Sequence, residues 1–283
     1  MANPKPPKTS SSRPDLGSIL GLLVAVGGIL GGLLLDGGKL SDIQQVTAAM
    51  IVFGGTIGAV LITMPLGVVM AAVKKVGAVF FETAQPVAAT IDSIIGYATQ
   101  ARKEGIVSLE KEAGKITDPF LRKALDLAVD GMELSQIRSI MELDIDLIEQ
   151  RGEAEAKVFE AAGGYSPTVG IIGAVMGLMQ VMKHLADIDA VGRGIAGAFV
   201  ATVYGLVCAN LFCLPAGGKL RARLRAEVQL RELMLLGVLA LVEGLNPKLI
   251  RIRLESYLAQ PAAKTAPKSK AAPAASRAAA AEG

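Results

Sequence analysis

Between Gly164 and Leu220 lie two long apolar stretches, GYSPTVGIIGAVMGLMQVM and GIAGAFVATVYGLVCANLFCLPAGG, without a single Asp, Glu, Lys, Arg or His. Each carries small residues and hydroxyls, and each has one proline at the same membrane end. About 20 residues of helix cross about 30 Å of hydrocarbon. The run therefore predicts a pair of closely packed membrane helices, able to line an ion path but with no charged or histidine side chain of their own.

Two further stretches lack charge, so that the uncharged set is Leu16–Leu35, Thr47–Val73, Tyr165–Met182 and Gly194–Gly218. A chain that is 52% hydrophobic and only 19% charged is too apolar for an ordinary soluble protein. Tyr165–Met182 is the shortest, and Lys183 extends it by snorkelling to the interface. The first stretch is longer than the apolar region of a secretory signal and lacks a small-x-small cleavage site, so it reads as the first arm of a helical hairpin. Cys208 and Cys213, five residues apart, fall on different faces of a regular α-helix. They read as two small packing residues, with neither a disulfide nor a metal site suggested.

Charge placement orients the spans. Lys5, Lys8 and Arg13 precede the first, Lys74 and Lys75 follow the second, and Lys219, Arg221, Arg223, Arg225 and Arg231 follow the fourth. The positive-inside rule puts these groups, and both termini, on the cytoplasmic side of a multi-pass membrane protein. The block Lys74–Gly163 is polar and reads as helical, with no convincing strand. Asp118-Pro119 predicts an N-cap followed by proline at the first helical position. Ile137, Ile140, Met141, Ile145 and Ile148 recur at helical spacing. A second extramembrane helix is expected from about Lys219 to about Tyr257, and the Pro/Ala/Lys-rich end is expected to be disordered. The expected organisation is an N-terminal tail (1–15), a membrane hairpin (16–73), a cytoplasmic helical domain (74–163), a second membrane pair (164–218), a C-terminal helix (219–258) and a tail (259–283). The fold class is an all-α integral membrane protein.

Glycines four apart, Gly27/Gly31, Gly28/Gly32, Gly54/Gly58, Gly173/Gly177 and Gly197/Ala201/Gly205, form ridges that let backbones approach. Proton relays in membranes normally show a buried Asp, Glu or His. None lies in these spans, so proton conduction requires a carboxylate from a partner. Thr202 can line an ion path or bond a partner carboxylate, or else bond its own i−4 carbonyl; Tyr204 and Asn210 are weaker candidates of the same kind. Pro167 and Pro215 are expected at similar depth, Pro167 as the first residue of a helix or as a hinge, Pro215 as a break. Arg102, Lys103, Glu104, Glu110, Lys111 and Glu112 form a mixed-charge cluster whose simplest reading is a solvated helix face. His184, Asp187 and Asp189 read as interface and loop residues. No nucleotide-binding loop, metal-ligand spacing or nucleophile motif is present, so neither an enzyme nor a cofactor is indicated. Nucleic acid is not an expected partner.

YSPTVGIIGAVMGLM, the stretch from Ala201 to Pro215, ARKEGIVSLE and GVLALVEGLNPKLIRIRLESYL together resemble the MotA/PomA channel subunits of bacterial flagellar stators, within the MotA/TolQ/ExbB group, over about Leu16–Leu258. The leading hairpin and large inner loop fit MotA better than TolQ or ExbB, which remain the alternative as energisers of another envelope or gliding machine. The resemblance implies a pentamer around a dimer of MotB-like single-span partners that carry the proton-binding aspartate. It implies that Pro167 and Pro215 couple ion flow to conformational change and that Arg102 and Glu110 engage the rotor protein FliG. It also implies that Thr202 faces the partner aspartate. Sodium-type relatives carry a threonine where this chain has Ala174, and fewer oxygens suit a hard cation less. The implied ion is therefore the proton.

Overall fold

The computed structural model describes residues 12–83 and 87–259. The Pro/Ala/Lys-rich end and the lysines of the N-terminal tail lie outside the described residues.

Four helices are long and apolar enough to cross a membrane, among the described residues: Leu16–Leu35, Val46–Thr63, and parts of Leu134–Lys183 and Ile188–Val242. The first is α1 (Leu16–Leu35), capped by Asp15, whose side chain accepts from the Ser18 amide. None of its residues is buried within the protomer. The second span is built from α2 (Val46–Ala49), a π turn (Met50–Gly54) and α3 (Gly55–Thr63).

The uncharged stretch Thr47–Val73 is not one helix, as expected from its charge pattern, but two. The residue before a proline is pushed out of the α region, and Met64 adopts φ −131°, ψ 147° ahead of Pro65. The chain turns there and continues as α4 (Leu66–Lys74) and the short α5 (Val76–Phe80).

A three-residue antiparallel ladder follows, joining β1 (Ser12–Pro14) to β2 (Phe81–Thr83) with Pro14 opposite Phe81. The expectation that the polar block holds no strand is corrected here. So short a strand carries no readable alternation, and its partner lies at the far end of the first span.

The extramembrane domain is helical. It comprises α6 (Val87–Glu104), a 3₁₀ turn (Ile106–Leu109), α7 (Glu110–Ala113) and α8 (Pro119–Val129). Asp118 caps α8 as its sequence predicts, accepting from the amides of Phe120 and Leu121 at 2.9 Å each. The next helix, α9 (Leu134–Lys183), runs 50 residues without interruption from this domain through the membrane. Returning, α10 (Ile188–Val207), a π turn (Cys208–Cys213) and α11 (Leu214–Val242) form a second continuous rod.

The last expected helix is also divided. Gly244, at φ +73°, ends α11 in the left-handed conformation glycine tolerates. Pro247 then opens α12 (Pro247–Ala259), which folds back on α11. The domain core is made where these elements converge: Ile94 of α6, Leu125 of α8, Ile137 and Met141 of α9, Leu233 and Val238 of α11, and Ile250 and Leu254 of α12 are all essentially inaccessible. Each such side chain contributes roughly 1.5–3 kcal/mol by leaving water.

Candidate functional site

The closest helix–helix contact is the antiparallel seam between α9 and the α10–α11 rod, and small residues make it. A Cβ on Gly205 would stand 2.6 Å from the Ser166 carbonyl and 3.2 Å from Pro167 Cα. One on Gly170 would meet the Ala201 carbonyl at 3.0 Å, and one on Gly177 the Gly194 carbonyl at 3.0 Å. The two backbones touch along the seam, as the glycine spacing of these helices predicts. By contrast, Gly27, Gly28, Gly31 and Gly32 of α1, and Gly54 and Gly58 of the second span, face open space in the protomer.

Thr202 is half-buried on this seam, and its hydroxyl donates to the Ala198 carbonyl at 3.2 Å. The bond to its own helix, one of the two alternatives the sequence left open, is the one observed. Ala174 is half-buried next to Gly173, which packs on Ala201. Tyr204 is fully engaged inside the protomer: its hydroxyl donates to the Ile43 carbonyl, accepts from the Gln45 amide at 3.2 Å, and its ring stacks on Phe53 at 6.1 Å. Asn210 donates to the Leu206 carbonyl at 3.0 Å.

The prolines differ from expectation in three respects. Pro167 is not the first residue of a helix: it lies inside α9. The carbonyl it would crowd, four residues back, belongs to Gly163. Gly163 in turn packs against Leu214 of α11. Pro215 does not break its helix. It follows the π turn Cys208–Cys213, whose wider register accommodates the missing N–H and the ring. Nor are the two level. Pro167 packs at Gly205, ten residues before Pro215, so Pro215 sits more than one turn nearer the extramembrane domain.

That π turn also overturns the expectation that the two cysteines lie on different helix faces. In a π register residues five apart share a face, and the sulfurs of Cys208 and Cys213 are 3.7 Å apart.

Arg102 and Glu110 stand on either side of a tight turn at Gly105 (φ +84°), near the end of α6 and the start of α7. Both are exposed, and among the described residues neither side chain makes a hydrogen bond or ion pair. Glu112 is occupied by Lys115 at 2.7 Å.

A feature that sequence reasoning missed lies where the rods leave the apolar zone. Lys219 and Arg223 of α11 both bind Asp15, the latter at 3.1 Å, and Lys219 also donates to the Ser18 hydroxyl at 2.8 Å. Arg221 forks between Glu153 and Glu160 of α9, with its Nε 3.1 Å from both Glu153 oxygens. Lys75 reaches Glu155 at 2.5 Å. The basic run KLRARLR was legible only as a charge pattern; its acidic partners lie on other helices.

A four-span membrane protein with a helical extramembrane domain, two of whose spans extend as single rods into that domain, is the class this geometry defines. Comparison with known proteins makes the class specific. Residues 112–233 match the model of the MotA/TolQ/ExbB proton channel family, and residues 19–104 match that of the Motility protein A N-terminal region. Motility protein A of Bacillus subtilis is 36% identical over 248 residues, covering 86% of this chain and 91% of that protein. The structure of C. jejuni MotAB superposes with a TM-score of 0.82 at 30% identity, over 86% of this chain and 95% of the other. That of the flagellar MotAB stator complex from Bacillus subtilis gives 0.79 at 34% identity, over 87% and 96%. The chain belongs to the MotA/TolQ/ExbB proton channel family.

Proposed function

We propose that this chain is the channel-forming subunit of a flagellar stator. With a MotB-like single-span partner it carries protons across the bacterial inner membrane and converts the flux into torque. The observation that carries the reading is chemical. Four spans in a member of a proton channel family contain no Asp, Glu or His in their uncharged stretches. The proton-binding carboxylate therefore comes from the partner's membrane helix.

Several features support the assembly. The unburied α1, and the exposed apolar residues Ile171, Val175, Met179 and Phe199 on the seam helices, are surfaces that lipid or other subunits must cover. A pentamer around a partner dimer, the family arrangement, supplies both. The basic residues at the domain end of the bundle support a cytoplasmic location for that domain and both termini. Thr202, with Ala174 nearby on the facing helix, is the proposed partner-facing position. Pro167 and Pro215 are the proposed coupling points, and Arg102 and Glu110 the proposed contact with rotor FliG. The domain divisions near 73, 163, 218 and 258 are proposed as working units on the same grounds. The match of residues 19–104 to the Motility protein A N-terminal model supports a stator over a TolQ/ExbB-like energiser.

The test is proton uptake by proteoliposomes with and without the partner. Uptake is expected only with both subunits and is expected to persist when sodium is replaced by potassium. Uptake by this chain alone overturns the reading.

A further inference from the structure

We propose that Cys208 and Cys213 form a dithiol modification site that closes to an intrahelical disulfide and locks the π turn. Their sulfurs are 3.7 Å apart and both residues are half-buried, with free thiols. The contact depends on the register. In an α-helix, residues five apart are separated by about 7.5 Å along the axis and about 140° around it. A disulfide does not bridge Cα atoms more than about 7 Å apart. Only the π register lets these two cysteines join, so closing the bond fixes that register.

The surroundings make the site reachable and adaptable. A cavity of about 530 Å³ between α1 and the α10–α11 rod is bordered by Cys213 together with Asn210, Pro215 and Lys219. Across the seam the side chain of Ser166 is fully buried beside the Cys208 sulfur.

The oxidant is hydrogen peroxide, which is small and uncharged. The Cys213 sulfur attacks one peroxide oxygen, forming an S–O bond as the O–O bond breaks, and water leaves. The Cys208 sulfur then attacks that sulfur, forming the S–S bond as the S–O bond breaks, and a second water leaves. Two thiol protons end in the two waters, and the two electrons given up by the sulfurs reduce the peroxide. What the lock does to ion flux rests on the function proposed above; its formation does not.

The test uses the full chain in lipid nanodiscs exposed to hydrogen peroxide. Mass measurement of the peptide that contains both cysteines is expected to show a loss of two hydrogens, with both maleimide-reactive sites lost and both restored by dithiothreitol. Cys208→Ser and Cys213→Ser are expected to gain oxygen instead. Amide hydrogen exchange across 208–215 is expected to slow several-fold on oxidation. A wild-type cysteine-containing peptide that gains oxygen rather than losing hydrogen, or a chain that cross-links to a second chain on a non-reducing gel, overturns the site. Unchanged exchange in the oxidised chain overturns the lock.

Discussion

Asp15 and Lys219 form an ion pair that fastens the entry of α1 to the exit of the fourth span. Asp15 does three jobs at once. It caps α1 through the Ser18 amide, binds Lys219, and accepts from Arg223, which also donates to the Phe81 carbonyl at 2.5 Å. Its own amide donates to the Phe80 carbonyl at 2.8 Å. The Lys219 hydrogen bond first, then the Ser18 amide, hold its carboxyl at about 2, below the ordinary 3.8.

The pH dependence follows from that depression. A carboxylate whose pKa is lower in the folded state contributes fully above its unfolded value and progressively less as pH falls toward the folded one. Asp15 should therefore stabilise the protein above about pH 4 and lose that contribution between pH 4 and about 2. Asp15→Asn is expected to lower the melting temperature of the detergent-solubilised protein at pH 7. The gap from wild type should close near pH 2. A gap that stays constant across this range would show that the carboxylate's charge contributes nothing.

Two glycine substitutions should move stability in opposite directions. A methyl at Gly205 meets the Ser166 backbone at 2.6 Å, so Gly205→Ala forces the seam apart and costs about 1–3 kcal/mol. Gly96 is exposed in mid-α6 with nothing within 4 Å of its missing Cβ. Gly96→Ala should stabilise by about 0.5–1 kcal/mol through the unfolded chain's entropy. Thermal or denaturant unfolding of the two variants side by side measures both signs.

Charge reversal at both Arg102 and Glu110 is expected to reduce swimming speed several-fold while membrane insertion and expression stay normal. Neither residue has a structural partner to lose, so a fall in protein level would contradict the exposed geometry. Single reversals should do less, because Lys103 and Glu112 carry the same charges as Arg102 and Glu110 close by and individual surface pairs are weak. Normal swimming in the double variant would leave the cluster as a solvated face.

Thr202→Val separates packing from ion handling. The hydroxyl satisfies only its own helix, at the Ala198 carbonyl, which still accepts a backbone amide. Removing it should leave assembly and melting temperature within about 0.5 kcal/mol of wild type. Motility is expected to slow, because valine keeps the shape but cannot bond a carboxylate. Unchanged swimming would assign Thr202 to packing alone.

The spans were legible because lipid tolerates so little charge that uncharged runs identify themselves. The α8 cap was legible because Asp118-Pro119 acts locally. The breaks at Pro65 and at Gly244–Pro247 were also written in local signals, but hydropathy in one case and amphipathic continuity in the other masked them. The cysteine contact was misjudged because a regular 3.6-residue period was assumed, and a π turn changes that period without a distinctive residue. The clasp at Asp15 and the fork at Arg221 were out of reach for another reason. Each joins groups that only the packed bundle brings together, and a charge pattern names one side of an ion pair but not the other.

The unbroken course of α9 has a mechanical consequence. From Pro167 back to Leu134 the helix extends about 50 Å at 1.5 Å per residue, with no joint to absorb a rotation. It is a lever with a short arm in lipid and a long arm outside. A tilt of about 5° at Pro167 carries the far end about 4 Å, a helix-turn-scale stroke from a displacement near the pivot of a fraction of an ångström. Because Ile137, Met141 and Ile145 are keyed into the domain core, the body that bears Arg102 and Glu110 moves with that arm as its load.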